Sequence, residues 1–304
     1  MQRVLDRILA GENIRDVIAE SAKAVSTTLI DDPGDELDEK QVHLNKSQWS
    51  KFGNCVVLAG GSGSGKGWVK DNLIAADFQQ VLDVDALKLM YNNLVANGKI
   101  DDPHGTYDLS NADDVSALHG KIKTLKWDKL KQSSMFKWEK ALPNILFDIT
   151  GRETDKLKDI GGKAKSVGYN TILCWVLTPR DVAILGNLSR PRKVSQQVFH
   201  SVHNAVKSSV LSFLTTDAGN YYDEAFLCFN PGKDVTQLPS EIQDIAKKHD
   251  IVELKKTGNS FELPDDLKKA ILDFLGADDD PDNPKVYKDF KDIDVSQGVS
   301  AVKR

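Results

Sequence analysis

The sequence predicts an α/β fold: a mostly parallel sheet of about five strands flanked by helices. Three observations carry that reading. Short, almost wholly apolar runs recur at 54–59, 144–149, 170–178 and 225–229, as strands covered on both faces should. Longer stretches with helical spacing of apolar residues separate them. One run, CVVLAGGSGSGKGWVKDNLIAAD from Cys55 to Asp77, reads as strand, glycine-rich turn and helix in direct succession. Such alternation argues for right-handed crossovers between parallel strands.

The elements follow in order. Residues 1–29 read as helix around a break at Gly11, and 31–40, DDPGDELDEK, as an exposed acidic linker. The core begins near Trp49 with a first strand at 54–59. After the glycine turn and its helix comes a second strand at 79–84, then a helix from Asp85 to about Ala96 that Asn97-Gly98 stops. Residues 99–140 differ: a loop, then a helix rich in Lys and Trp through Trp127 and Trp138. They form either a cover over a substrate or a solvated helical hairpin with its tryptophans inward. The third strand is 144–149, with a helix from 153 to 167 ending at Gly168. The fourth, 170–178, runs into Pro179 at the first turn of a helix ending near Leu188. A basic turn, Arg190-Pro191-Arg192-Lys193, leads to a helix at 195–214 and a fifth strand at 225–229. Beyond it, 241–249 and 265–275 look helical, and 278–284 is an acidic, disordered linker. The division expected is an N-terminal segment at 1–48, a core at 49–232 with 99–140 inserted on the substrate side, and a C-terminal segment at 233–304.

Composition excludes some classes. The 304 residues are 40% apolar and 28% charged, ordinary for a globular protein with a sizeable core. A net charge of −5 gives no global attraction to nucleic acid. No apolar stretch is long enough to span a bilayer, and the N-terminus has no signal-peptide core. Cys55, Cys174 and Cys228 all fall in apolar strand-like runs, so they read as buried free thiols in a reducing compartment.

The chemistry starts at Gly60-Gly61-Ser62-Gly63-Ser64-Gly65-Lys66-Gly67, which fits G-x-x-x-x-G-K. Such a loop turns backbone N–H groups around an anion, and glycines permit the φ/ψ values and close approach it needs. The following helix aims its positive end there, and Lys66 adds a charge that reaches β/γ-phosphates. The strand-turn-helix context argues against a flexible linker. Gly67 stands where a Ser or Thr hydroxyl normally meets Mg²⁺, a place that Ser62, Ser64 or water would have to fill.

In open α/β sheets, ligands bind beyond the carboxyl ends of the strands. Asp83 and Asp85 fall there after the second strand, and Asp148, Thr150 and Arg152 after the third. Asp85 is the candidate for accepting the proton of an attacking hydroxyl, or else a helix N-cap; Asp83 is the runner-up. Asp148 ends an apolar strand as the acidic residue of a Walker B strand does, and would hold Mg²⁺ directly or through water. Arg190 or Arg192 suits a mobile lid over the transferring phosphoryl group. Arg152 either clamps an anionic substrate or pairs with Asp148 or Asp85. His104, His119, His200 and His203 form no metal-like set and read as surface or packing residues.

These residues resemble the zeta-toxin family of P-loop kinases and the phage-encoded P-loop kinases close to it. GGSGSGKG looks like the family's Walker A, VLDVDALK like its element whose second aspartate is the base, NILFDITGR like its acidic strand end, and GYNTILCWVLTPRDVAILGNLSR like the segment leading to the lid arginine. The likeness covers roughly 55–213. It implies a nucleoside-monophosphate-kinase-like core, ATP or GTP as donor with Mg²⁺, and transfer of the γ-phosphate to a hydroxyl of a nucleotide sugar, nucleotide or nucleic acid. By the resemblance Asp85 is the base, and Lys88 stands at a substrate position where Arg is common. It also implies the cytoplasm of a bacterium or a phage-infected cell. A protein partner would meet the N-terminal helix or the acidic C-terminal tail.

Two other readings remain open at this point. A polynucleotide or modified-base DNA kinase requires a basic groove, for which Lys121, Lys123, Lys126, Lys129 and Lys131 are candidates. A nucleotide-binding structural or virion protein with a degenerate loop would account for Gly67 and the long flanks.

Overall fold

The computed structural model describes residues 12, 43–44, 47–48, 52–72, 74, 80–137, 142–190, 193–230, 251–276 and 288–296. The N-terminal helix and acidic linker, Trp138, Pro191, Arg192, the helix expected at 241–249 and the linker at 278–284 lie outside these residues.

The centre is a six-stranded sheet. Its strands are β1 (Asn54–Ala59), β2 (Gln80–Asp83), β3 (Ile145–Ile149), β4 (Asn170–Leu177), β5 (Glu224–Phe229) and β6 (Ile251–Leu254). In space they run β2-β3-β1-β4-β5-β6. The first five are parallel, and β6 is antiparallel to β5. The chain leaves β1 toward one edge, returns through β3, then crosses to β4. The strand order therefore reverses at β1, where open α/β sheets form their binding crevice. A glycine-rich loop leaves β1 at that reversal, so the architecture is that of a P-loop NTPase-like α/β fold.

Side chains alternate across the sheet. Cys55, Val57, Ala59, Phe147, Leu173, Trp175 and Leu227 belong to the larger core, and Val56, Leu58, Leu146, Cys174, Val176 and Cys228 to the smaller. The three cysteines are free and buried, as their apolar runs predict. Burial pushes the Cys55 thiol up, leaving an uncharged core residue.

The helices are α1 (Lys66–Asn72), α2 (Val84–Ala96), α3 (Ala112–Thr124), α4 (Trp127–Met135), α5 (Thr154–Val167), α6 (Arg180–Leu188), α7 (Gln196–Thr216), α8 (Ala218–Tyr221) and α9 (Asp265–Leu275). Their ends follow local chemistry. Asn111 caps α3 by accepting from Asp113 N at 2.9 Å, and Gly168 takes φ 97° to end α5. The N-cap of α2 is Asp83, which accepts from Asp85 N at 2.8 Å. That corrects the alternative reading of Asp85 as the cap.

The insertion is two helices rather than one, with Lys126 at φ 57° breaking α3 from α4. Trp127 is buried, with its ring 5.5 Å from that of Tyr91 on α2. The loop before α3 is anchored on buried Asp102, which accepts from His104 N (3.0 Å) and from the hydroxyls of Tyr91 and Tyr107, and pairs with Lys121 at 3.0 Å. Lys131 reaches in from α4 to Gln80 Oε1 on β2 at 2.8 Å. The insertion is thus bolted to β2 and α2, the elements that carry Asp83 and Asp85.

The boundary expected at 232 cuts through the sheet: β6 pairs with β5, and Ile271 and Phe274 of α9 lie in the larger core. Among the described residues no helix is long and apolar enough to cross a membrane.

Asp102→Ala strips a buried acceptor from two tyrosine hydroxyls and a lysine, and should cost about 2–4 kcal/mol. Lys121→Ala removes only a partly exposed partner and should cost less than about 1 kcal/mol. Denaturant titration of the two variants checks the difference.

Candidate functional site

The glycine turn from Gly60 to Gly65 is tied down carbonyl by carbonyl. Ser62 O meets His203 Nε2 at 3.0 Å. Ser64 O accepts from Thr178 Oγ1 at 2.7 Å and from Asn230 Nδ2 at 2.9 Å. In a trans peptide the C=O of one residue and the N–H of the next point opposite ways. These tethers therefore aim the Gly63 and Gly65 amides away from the scaffold. Gly63 and Gly65 hold φ 74° and 85°, values that side chains resist, and a Cβ on either would strike protein. Gly60 N donates to Thr150 O at 3.1 Å, extending the β1–β3 ladder into the loop.

Lys66 opens α1 and folds back over the turn. Its ammonium donates to Gly60 O at 2.7 Å and Gly61 O at 3.2 Å, and lies 3.6 Å from Asp148 Oδ1. Gly67 is exposed, and a Cβ built there meets nothing within 4 Å. The missing hydroxyl is not a steric demand of the loop.

An acidic rim adjoins it. Asp83 and Asp148 are paired in register across β2 and β3. Burial raises the Asp148 carboxyl above its ordinary range; Lys66 opposes this, while Asp83 and Asp85 push it further up. Asp148 therefore feels the charge of both other carboxylates. Asp83 is occupied in capping α2. Asp85, in the first turn of α2, pairs with Lys88 Nζ at 3.1 Å.

Arg190 donates to the hydroxyl of Ser62 at the tip of the turn and to Asn187 Oδ1 at 3.1 Å. Arg192 lies outside the described residues. Arg152 pairs with Glu153 at 3.2 Å, which corrects the expectation of a pair with Asp148 or Asp85. It still lies close enough to His119 for its charge to be felt there. The phosphate loop, Asp83, Asp85, Asp148, Lys88 and Arg190 are thus linked by direct contact, register or charge, and Arg152 borders the insertion side.

Several residues at the site were missed by sequence reasoning. Thr178 and Asn230 directly follow β4 and β5, where the strand-end rule that singles out Asp148 would have found them. Asn187, fully buried, accepts from Ser62 Oγ at 3.2 Å and Val194 N at 3.1 Å and so shapes the Arg190 turn; a lone Asn in a helix gives no such signal. His203 and His119, read as surface or packing residues, both face the site. His119, half-buried on α3, is pushed down to about 4 by burial, then by Lys88 and Lys123, with Arg152 adding and Asp85 opposing. Loss of solvent likewise pushes His203 down to about 4, against its bond to Ser62, with Arg180, Lys66 and His200 adding.

Three of the five lysines expected to line a groove have partners within the protein. Lys121 pairs with Asp102 and Lys123 with Asp128, while buried Lys131 turns inward and is pushed down to about 8.

No protein-family model and no curated protein matches the chain. Solved structures do. The AvrRxo1-ORF1:-ORF2 structure with ATP is similar over 90% of this chain and 71% of its own, at 14% identity and a TM-score of 0.48. The same pair with sulphate ions matches over 74% of this chain at 14% identity and a TM-score of 0.48, and this chain spans only 64% of that one's length. The PezAT chromosomal toxin-antitoxin system of Streptococcus pneumoniae is similar over 84% of this chain and 91% of its own, at 14% identity and a TM-score of 0.43.

Both depressed histidines make stability depend on pH. In the unfolded chain they take up protons near the ordinary value of 6.5, but in the fold only near 4. The unfolded state thus binds more protons in that window, and stability falls as pH falls through it. The melting temperature should drop between pH 7 and pH 5. It should drop less in a variant carrying His119→Gln with His203→Gln, measured by thermal unfolding at both values.

Proposed function

We propose that this chain is a zeta-toxin-like kinase that transfers the γ-phosphate of ATP or GTP to a hydroxyl of a nucleotide-sugar, nucleotide or nucleic-acid acceptor. The observation that carries the reading is the position of Lys66, held on the phosphate-loop carbonyls and 3.6 Å from the strand-end carboxylate of Asp148. A cation, a tethered anion-binding turn and an acidic rim at one sheet edge are what phosphoryl transfer requires, since positioning and charge neutralisation do most of its work.

In this mechanism the turn from Gly60 to Gly67, with Ser62 and Ser64, cradles the phosphates. Lys66 swings from the Gly60 and Gly61 carbonyls onto the β/γ-phosphate oxygens. Asp85 accepts the acceptor's hydroxyl proton as that oxygen bonds the γ-phosphorus and the bond to the β-phosphate oxygen breaks. Lys88 orients Asp85. Arg190, with Arg192, neutralises charge on the transferring group. Lys88, Arg152 and Asp83 border the acceptor.

The donor set suits Mg²⁺. That ion takes one or two carboxylates plus phosphate oxygens and keeps several waters. Asp148 would hold it, with Asp83 occupied as a cap and a water in place of the absent Gly67 hydroxyl. When bound, the ion would neutralise charge on the phosphates.

The pairing of Lys121 and Lys123 with carboxylates and the burial of Lys131 weigh against the DNA-kinase alternative. The binding-protein alternative is an outcome of the decisive assay, labelled γ-phosphate transfer screened across nucleotide sugars, nucleosides and DNA. Transfer supports the proposal. ATP binding with no transfer to any acceptor supports the binding protein.

Three variants follow on the acceptor that is labelled. Lys66→Ala should bring transfer to background, and wild-type transfer by it would overturn the scheme. Asp85→Asn should lower kcat by about 10²–10⁴ with donor affinity kept. Gly67→Ser should stabilise α1 by about 0.5 kcal/mol, read by denaturant titration, and lower the Mg²⁺ concentration needed for half-maximal transfer.

A further inference from the structure

We infer that His203 is a positioning residue for the phosphate loop, and that the C-terminal segment at 288–296 reaches the same loop through it by a stack of aromatic rings. The inference rests on the kinase reading only for its consequence in nucleotide affinity.

The geometry is continuous from loop to tail. The carbonyl of Ser62 can only accept, so His203 Nε2, 3.0 Å away, carries the hydrogen. That bond fixes the 62–63 peptide plane and with it the direction of the Gly63 amide. The imidazole lies flush on the turn because residue 61 is glycine: a Cβ there would stand 2.5 Å from Nε2. On its other side His203 stacks on Phe199, centroids 4.3 Å apart and planes 27° apart. Phe199 is buried and receives the edge of Phe290 at 5.4 Å and 72°. Phe290 also faces the ring of His200 at 5.7 Å.

Backbone contacts hold the tail in place. Phe290 N donates to Gln196 Oε1 at 3.0 Å, and Gln196 Nε2 donates to Lys288 O at 3.4 Å. Asp289 caps the short helical turn Phe290–Asp292. Ile293 and Phe290 both pack against the cluster of Ala183, Ile184 and Phe199. The segment therefore sits across α6 and α7, the two helices joined by the turn that carries Arg190. Instead of hanging as a loose tail, this stretch buttresses both sides of the nucleotide edge.

Displacing the tail would leave Phe199 without one ring face and slacken His203. The phosphate loop would lose a tether without losing any residue that touches phosphate. The tail is then a built-in control on loop order, open to anything that competes for Phe290.

Hydrogen exchange of the full chain without nucleotide tests this, comparing the 60–65 amides with those of β5. His203→Ala should speed loop exchange about tenfold or more while β5 stays at the wild-type rate. His203→Gln, whose amide nitrogen falls where Nε2 stood, should restore most of the protection. Phe290→Ala should speed loop exchange by a smaller factor. A loop rate in His203→Ala equal to wild type overturns the positioning role. Exchange in His203→Gln as fast as in His203→Ala overturns the hydrogen bond as its cause. A wild-type loop rate in Phe290→Ala overturns the link to the tail. If His203→Ala exposes β5 as well, the Gln and Phe290 variants decide. Calorimetric titration with ATP runs alongside: a wild-type chain that binds none removes the kinase reading and leaves the exchange result to stand by itself.

Discussion

Everything at the site depends on the parallel register around β1. Ala59 is level with Ile149 on one side, so β1 and β3 end together, and with Trp175 on the other, two residues before β4 ends at Leu177. Asp83 is level with Asp148 one strand further out. Because the strands run the same way, each delivers its next residue to one rim. Gly60, Val84, Thr150 and Thr178 all start there, and the loops they open have no other place to go. An antiparallel strand among them would have carried its loop to the far edge. β6 is antiparallel, and it sits at the outer edge of the sheet beyond β5.

That rim concentrates charge at a cost. Burial, with Asp83 and Asp85 adding, raises the Asp148 carboxyl, and Lys66 is the nearby cation opposing this. Until an anion arrives, the Lys66 ammonium rests on two loop carbonyls, which keeps its charge solvated by protein. A bound triphosphate offers a stronger partner for the same ammonium, so its arrival trades a neutral contact for a charge-assisted one. The loop itself is fixed from behind by neutral groups, Thr178, Asn230 and His203. Cations there would compete with Lys66 for the anion; neutral donors hold the backbone and leave the field to Lys66 and Arg190.

Much of this was legible in the sequence because it is local. β1, α5 and α9 follow from apolar runs, Gly168 and helical spacing, and the phosphate loop from its own string. Asp83, Asp85 and Asp148 followed from the strand-end rule. What stayed hidden depends on distant partners. β6 has an ordinary sequence, IVEL, and is a strand because β5 offers an edge. The break at Lys126 needs a left-handed residue that no Gly or Asn announces. Lys131 looks like a solvated charge until Gln80 receives it, and the Arg152–Glu153 pair gives no signal beyond two adjacent charges. His203 is a polar residue on an amphipathic helix, and its meaning lies in residue 61 being glycine, 142 positions earlier.

The most direct measurement of the central claim is a crystal structure of the chain with Mg²⁺ and a non-hydrolysable ATP analogue. The account predicts phosphates within the turn from Gly60 to Gly67, the Lys66 ammonium moved from the Gly60 and Gly61 carbonyls onto phosphate oxygens, and Asp148 and Arg190 on either side of the terminal phosphate. An analogue bound elsewhere on the molecule, or a Lys66 still seated on those carbonyls beside a bound triphosphate, would contradict it.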